Sequence, residues 1–116
     1  LPPSGHAQIE NVEFPKLGTI FSAKFPNNIS SLNAQDVVSL TNIIRPYLIM
    51  DKKINILSYA KGLEGDPTSA RRIALQRAIN TRAHMIRAGL TDSRINVKVI
   101  GDKEGAKDEV DVLLSD

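Results

Sequence analysis

The chain has 116 residues, of which 41% are hydrophobic and 24% charged, and its formal net charge is +2. This length fits one domain with one sizeable core. With 15 basic against 13 acidic residues and no Trp, the composition excludes a polycation that coats nucleic acid and a surface of stacking aromatic rings. No apolar run is long enough to span a membrane. The absence of Cys excludes disulfides, thiolate metal sites and a Cys nucleophile.

The first residues differ in composition from the rest of the chain. Residues 1–15 contain three prolines and no sustained periodicity, so we expect an extended arm or linker before a domain that covers residues 16–116. Leu1 in place of Met indicates a processed or excised fragment, with any anchor or partner domain outside this sequence. The first predicted strand runs from Lys16 to Ala23 and ends before the turn residues 25–28.

The middle of the chain predicts a helix followed by a strand. Asn33, three residues before Asp36, is typical of a helix N-cap, and apolar residues at helical spacing extend this helix over residues 34–49. Pro46 has no amide donor, so we expect the helix to kink or end near Arg45. The second strand is predicted from Lys53 to Tyr59.

A second helix is predicted over residues 67–88. Asp66 is its N-cap candidate, Pro67 fits the first helical position, and Gly89 is a natural stop. The helical spacing predicts that one side of this helix carries Leu75, Ala78, Ile79, Met85 and Ile86. Another side carries Ile73, Arg77, Asn80 and His84.

Two strands close the chain. Alternating apolar residues predict one strand around residues 95–99 and another around residues 110–114. The polar loop from Gly101 to Asp108 is short enough to join them as a hairpin. The order strand, helix, strand, helix, strand, strand predicts an α+β fold, a two-layer sandwich with both helices on one face of the sheet.

The second helix carries five arginines and no acidic residue: Arg71, Arg72, Arg77, Arg82 and Arg87. Most of these arginines are interpreted as a solvated face of the helix, on which the aliphatic parts of their side chains cover apolar surface. Arg77 differs, because it projects away from the side of Leu75. An alternative is contact with nucleic acid or acidic lipid head groups. It is disfavoured because the remaining chain is not basic and lacks stacking aromatic residues.

Catalytic and metal-binding patterns are lacking. The two histidines, His6 and His84, are far apart and belong to no recognisable arrangement with a nucleophile or an acidic residue. We therefore expect no enzymatic activity, no metal site and no cofactor.

Several linked motifs resemble one family, the OmpA-like C-terminal domain. They are the segment Ser58-Tyr59-Ala60-Lys61-Gly62, the helix segment from Ala70 to Ala78, the segment Arg87-Ala88-Gly89-Leu90 and the closing Val110-Asp111-Val112. The resemblance covers about Leu17 to Leu114, and Arg77 and Gly89 keep the family's spacing of about one helix length.

This resemblance implies a non-catalytic module of the Gram-negative periplasm, often tethered to the outer membrane, that holds motor, secretion or transport assemblies onto peptidoglycan. In the typical site, an Asp after the second strand faces the ammonium of diaminopimelate and the helix Arg faces its carboxylate. The implied partners are the peptidoglycan peptide stem and other envelope proteins. Nucleic acid is not among them, and a membrane would be reached only through an anchor outside this chain.

The sequence departs from the family at this site. Arg77 matches the helix Arg, but the Asp position falls at Lys61 or Ala60, and the usual Asn falls near Ala70. Lys61 would repel an ammonium group unless Glu64 or Asp66 serves as a substitute acid. The candidate ligand-binding residues are Tyr59, Lys61, Glu64, Asp66 and Arg77. Three hypotheses for the function of this site remain: a scaffold that binds another envelope protein, a modified peptidoglycan binder, or a site for a purely anionic group.

Overall fold

The elements of the domain follow in the predicted order. The structure is a computed structural model that describes residues 18–62, 66–101 and 107–114. Its strands and helices are β1 Thr19–Lys24, α1 Ala34–Ile44, β2 Ile54–Tyr59, α2 Pro67–Arg87, β3 Ile95–Gly101 and β4 Glu109–Leu114. Single 3-10 turns follow α1 at Arg45–Tyr47 and precede β3 at Asp92–Arg94. The predicted arm of residues 1–15 lies outside the described residues.

Helix α1 begins and ends where its sequence predicts. The side chain of Asn33 accepts a hydrogen bond of 2.7 Å from the backbone N–H of Asp36, which satisfies one of the free donors of the first turn. The α-helix ends at Ile44, and Pro46 lies in the 3-10 turn that follows. The expected break near Arg45 is confirmed, because Pro46 offers no N–H to the preceding turn.

Helix α2 also has the predicted ends. The carboxylate of Asp66 accepts a hydrogen bond of 3.2 Å from the backbone N–H of Ser69, and Pro67 is the first helical residue. The helix ends before Gly89, whose φ of 122° lies in the left-handed region that favours glycine.

The position of β4 in the sheet corrects the predicted hairpin. The strand order is β1-β4-β2-β3, so β4 lies between β1 and β2 and is antiparallel to both. Strand β3 lies at the edge and pairs with β2 in parallel. The side chains of β4 are buried on both faces: Val110 and Val112 are 0% exposed, Asp111 6% and Leu113 9%. In this central position the backbone of β4 is hydrogen-bonded along both edges, which a terminal hairpin with β3 alone would not provide.

The core lies between the sheet and the two helices. Its buried cluster joins residues of β2 and β4 to residues of α1 and α2, among them Leu40, Ile44, Ile56, Met85 and Val112. The opposite face of the sheet is more polar. There, the hydroxyl of Ser22 donates a 2.8 Å hydrogen bond to Asp111, and Asn96 donates one of 3.3 Å to Asn55.

The buried side of α2 differs from the predicted grouping. Ala74 and Ala78 are 0% exposed, whereas Leu75 and Ile79 are each 47% exposed and face outward. The hydroxyl of Ser58 donates a 2.5 Å hydrogen bond to the backbone oxygen of Ala74, which shows how closely α2 approaches β2. The placement of Leu75 and Ile79 with the buried Ala78 is therefore wrong, because α2 approaches β2 through the small residue Ala74 and leaves Leu75 and Ile79 on its outward side.

Candidate functional site

Arg77 lies on the inner side of α2 and is completely enclosed, with 0% of its side chain exposed. Its Nε donates a hydrogen bond of 2.7 Å to the backbone oxygen of Ile29, and its Nη2 donates one of 3.2 Å to that of Pro26. Its Nη1 donates to the backbone oxygen of Tyr59 and to Oδ1 of Asp108, both at 2.9 Å. Arg77 thereby joins α2 to the segment after β1, the end of β2 and the residue before β4.

These contacts use most of the binding capacity of the guanidinium. An arginine side chain has five N–H donors, and four of them are engaged by the four hydrogen bonds. The ring of Phe25 lies against the group, with its centroid 4.7 Å from Cζ of Arg77. A ligand would have to displace one of these protein groups to reach Arg77.

Asp108 is the acidic partner of Arg77. Its Oδ1 also accepts a hydrogen bond of 3.1 Å from the backbone N–H of Lys61, and its side chain is 11% exposed. Burial raises the pKa of this carboxyl group, but hydrogen bonds from Arg77, Lys61 and Asn27 and the positive charge of Arg77 outweigh it. The net result is a pKa below the ordinary 3.8, so Asp108 is ionised at neutral pH.

The loop after β2 packs tightly against the start of α2. Gly62 has a φ of 74°, and a Cβ atom at this position would lie 2.6 Å from the backbone N of Ala70. Only glycine fits both the conformation and the space. The close packing fixes the backbone of the neighbouring Lys61, whose N–H binds Asp108 while its side chain is exposed.

The remaining predicted site residues lie in different surroundings. Tyr59 is 1% exposed, and Nζ of Lys107 lies 4.4 Å from its ring centroid. Asp66 is engaged as the cap of α2, and eleven residues of helix rise separate it from Arg77 by about 16 Å along the axis. Glu64 lies outside the described residues. The structure thus brings the backbones of Tyr59 and Lys61 to the Arg77–Asp108 pair, but not Asp66.

Several solved structures have a fold similar to that of this chain. The peptidoglycan-associated lipoprotein of Burkholderia pseudomallei matches with a TM-score of 0.72 and 16% identity, covering 82% of this chain and 90% of that protein. The C-terminal domain of Helicobacter pylori MotB matches with a TM-score of 0.71 and 15% identity, over 84% and 85% of the two chains. The OmpA-like domain of FopA1 from Francisella tularensis subsp. tularensis SCHU S4 gives a TM-score of 0.62 and 21% identity, over 81% and 70%.

The chain has the OmpA-like fold. The resemblance and the two-layer α+β architecture expected from the sequence are both confirmed. No protein-family model and no curated protein sequence matches the chain at a significant level. The OmpA-like fold of this chain is therefore recognisable from the arrangement of its strands and helices.

Within this OmpA-like fold, the acid next to Arg77 is a residue that the sequence reasoning missed. Asp108 entered that reasoning only as the end of a predicted hairpin loop. The pairing of β2 with β4 sets Tyr59 opposite Glu109, and this register brings the preceding Asp108 to the end of β2. Knowing the strand order would have identified Asp108, because a strand β4 that pairs with β2 brings residue 108 next to residues 60 and 61.

A pair of carboxylates, Glu109 and Asp111, lies beside this site on the outer face of the sheet. Glu109 forms ion pairs of 3.6 Å with both Lys24 and Lys107. Burial raises the pKa of Glu109, and so do its hydrogen bond to Asp111 and the repulsion between the two carboxyl groups. The positive charges of Lys107 and Lys24 offset part of this increase.

Other features of the described residues offer no alternative chemical site. No group of three His, Asp or Glu side chains within residues 18–62, 66–101 and 107–114 could hold a metal ion. In the same part of the chain, no helix is both long and apolar enough to cross a membrane. A cavity of about 250 Å³ lies on the outer face of the sheet, where Leu57, Leu113 and Lys98 are among its lining residues.

Proposed function

We propose that this protein is a non-catalytic cell-envelope module that attaches a larger periplasmic or outer-membrane assembly to peptidoglycan through a degenerate ligand site. The observation that carries the proposal is the Arg77–Asp108 pair at the end of β2, with the Lys61 backbone bound to the same carboxylate. The OmpA-like fold supports it, since a peptidoglycan-associated lipoprotein and a MotB domain share this arrangement of elements. The location that follows is the periplasm of a Gram-negative bacterium.

The site is degenerate because neither of the two charged contacts that the family resemblance implies for the ligand is available in its usual form. The resemblance assigns the helix Arg to the carboxylate of diaminopimelate, and here the carboxylate of Asp108 already binds Arg77 at 2.9 Å. The resemblance also expects an acid for the ammonium group, and here the exposed Lys61 stands at this position. A zwitterionic ligand therefore meets a like charge at Lys61 and an occupied partner at Arg77, so we expect weak binding of the peptide stem.

A second function is favoured by the burial of Arg77. With its side chain 0% exposed and four N–H groups engaged, Arg77 acts as a structural joint between four segments. This favours a scaffold domain of a secretion or motor complex that binds other envelope proteins and no longer binds peptidoglycan. The two functions differ in one measurable property, which is affinity for the peptide stem.

The test is an NMR titration of the chain with a diaminopimelate-containing muropeptide. We expect weak, saturable shifts around Lys61 and Asp108 in the wild type. Lys61→Asp should bind about tenfold more tightly, because the substitution removes a repulsive charge and adds an acid for the ammonium group. The control Lys53→Asp makes the same change of charge at another exposed lysine and should bind like the wild type.

The titration separates the two functions. If neither the wild type nor Lys61→Asp shifts at millimolar muropeptide, attachment to peptidoglycan is wrong and the scaffold function stands. If Lys53→Asp gains as much affinity as Lys61→Asp, the gain reflects net charge, and the assignment of the site at the end of β2 is wrong. Arg77 variants are unsuitable here, because they remove a structural joint.

A further inference from the structure

The outward side of α2 carries a row of exposed aliphatic residues. Leu75 and Ile79 are each 47% exposed, and Ile86 is 38% exposed. Their spacing of four and seven residues aligns them along the helix axis over about 16 Å. We call this row and the arginines beside it the α2 outer face. Arg77 projects from the opposite side of the helix, so this face is separate from the site at the end of β2.

Arginines border the aliphatic row on both sides. At 100° per residue, Arg71 and Arg82 lie on one side of the row, and Arg72 and Arg87 lie on the other. No acidic residue occurs within Pro67–Arg87 to balance them. Arg82 forms an ion pair of 3.6 Å with Asp92, but with 37% and 71% of these side chains exposed, the solvent screens it. The α2 outer face is therefore apolar along its centre and positive along its edges.

The spacing within the row fits the packing of a second helix. Leu75, Ile79 and Ile86 lie four and seven residues apart, which is the spacing of a seam between two helices. Charge then selects the partner. A second copy of this face would bring its own arginines against these four, so self-association is disfavoured. A helix with Asp or Glu beside an apolar seam would match both the centre and the edges.

A lipid surface fits the same face less well. An amphipathic helix binds a bilayer by burying its apolar side about 5–10 Å into the head-group region. Here α2 packs on β2 and β3, and its three aliphatic side chains are already more than half covered by the domain. With its inner side held against the sheet, α2 offers a bilayer less apolar surface than a free amphipathic helix does.

We propose that the α2 outer face docks an acidic amphipathic helix of a partner protein. The proposal does not rest on peptidoglycan binding, because it uses none of the residues at the end of β2. Such a partner would make this domain a connector, with one side of α2 holding the fold together and the other side holding a second protein.

The test uses a synthetic amphipathic helix as the probe. The peptide has a single apolar stripe flanked by Glu, is confirmed as monomeric, and is titrated into the 116-residue chain while amide NMR shifts are followed. We expect saturable shifts along α2 at submillimolar peptide. The double variant Leu75→Ser/Ile79→Ser should weaken binding about tenfold or more, the effect of losing buried aliphatic anchors. Val38→Ser, at a residue that is 59% exposed on α1, is the matched control and should bind like the wild type.

Two further measurements distinguish binding through complementary charge from nonspecific hydrophobic binding. Replacing Glu by Lys in the peptide should abolish binding, and raising the NaCl concentration from about 0.05 to 0.5 M should weaken the acidic peptide's binding by screening. Each variant must keep the wild-type melting temperature, so that a loss of binding is not a loss of folding. The proposal is overturned by equal binding of the basic peptide or by unchanged affinity of the double variant. It is also overturned if α2 responds only to phosphatidylglycerol vesicles or only to the chain's own concentration.

Discussion

Replacing Arg77 by methionine should show how much of the fold's stability depends on one buried charge. Met keeps an unbranched aliphatic stem of similar length but removes the guanidinium. The substitution leaves the carboxylate of Asp108, 11% exposed, without its charged partner. It also removes the donors to three backbone oxygens, those of Pro26, Ile29 and Tyr59.

The magnitude follows from these contacts. Breaking a buried ion pair by removing one partner costs about 3–5 kcal/mol, because the other charge is left uncompensated. A domain of this size has a free energy of unfolding of roughly 5–15 kcal/mol, so Arg77→Met removes a large share of it. At about 4 °C per kcal/mol for a chain of this length, the melting temperature should fall by about 12–20 °C.

Thermal unfolding followed by circular dichroism at pH 7 measures this change. The control is Arg72→Met, which makes the same substitution on the exposed side of the same helix. A surface substitution of this kind stays within about 0.5 kcal/mol, or about 2 °C. If both variants lower the melting temperature equally, the assignment of Arg77 as a structural joint is refuted.

A double variant tests the cause of the loss. Adding Asp108→Asn to Arg77→Met removes the stranded negative charge, so we expect the double variant to be more stable than the sum of the two single effects by about 1 kcal/mol or more. Strictly additive effects would mean that the lost hydrogen bonds to backbone oxygens, rather than the stranded carboxylate, account for the destabilisation.

Four smaller perturbations test other parts of the structure. Because the folded-state pKa of Asp108 is depressed, its stabilisation relative to Asp108→Asn is present above pH 3.8 and lost as the pH falls through the lower folded value. Urea unfolding across this range should show the loss, and a constant difference between the two proteins would contradict it. Gly62→Ala should cost about 1–3 kcal/mol, because its φ is 74° and its Cβ would lie 2.6 Å from backbone. Gly89→Ala should cost less, about 1 kcal/mol, since its Cβ meets only a flexible leucine side chain at 3.2 Å, and a reversed order would refute the steric argument. Asn33→Ala should cost about 1 kcal/mol by removing the cap of α1, and an unchanged urea midpoint would show that this hydrogen bond does not contribute.

The local signals for helix ends were sufficient on their own. Asn33 and Asp66 cap α1 and α2 through backbone donors three residues away, and Gly89 ends α2 through its own φ. Pro46 ends the α-helical part of α1 because it lacks a donor. Each of these interactions spans at most four residues, so the sequence carries all of the information that it needs.

The strand order required the whole chain. Alternation in β4 indicated a strand with one apolar face, and a short polar loop favoured a hairpin with β3. The structure instead pairs β4 with β1 and β2, where Asp111 receives a hydrogen bond from Ser22, 89 residues away in sequence. Pairing between distant strands depends on which faces the helices cover, and no local pattern encodes that.

The candidate site, too, was predictable from the sequence only in part. The helical spacing of α2 was enough to set Arg77 apart from the other arginines, and the resemblance to the OmpA-like family predicts an acid at the position of Lys61 or Ala60. The enclosure of Arg77, the outward position of Leu75 and Ile79 and the contact of Asp108 with the guanidinium are visible only in the folded chain. A buried charge takes whichever partner the strand pairing brings within hydrogen-bond distance, and here that partner lies 31 residues further along the chain.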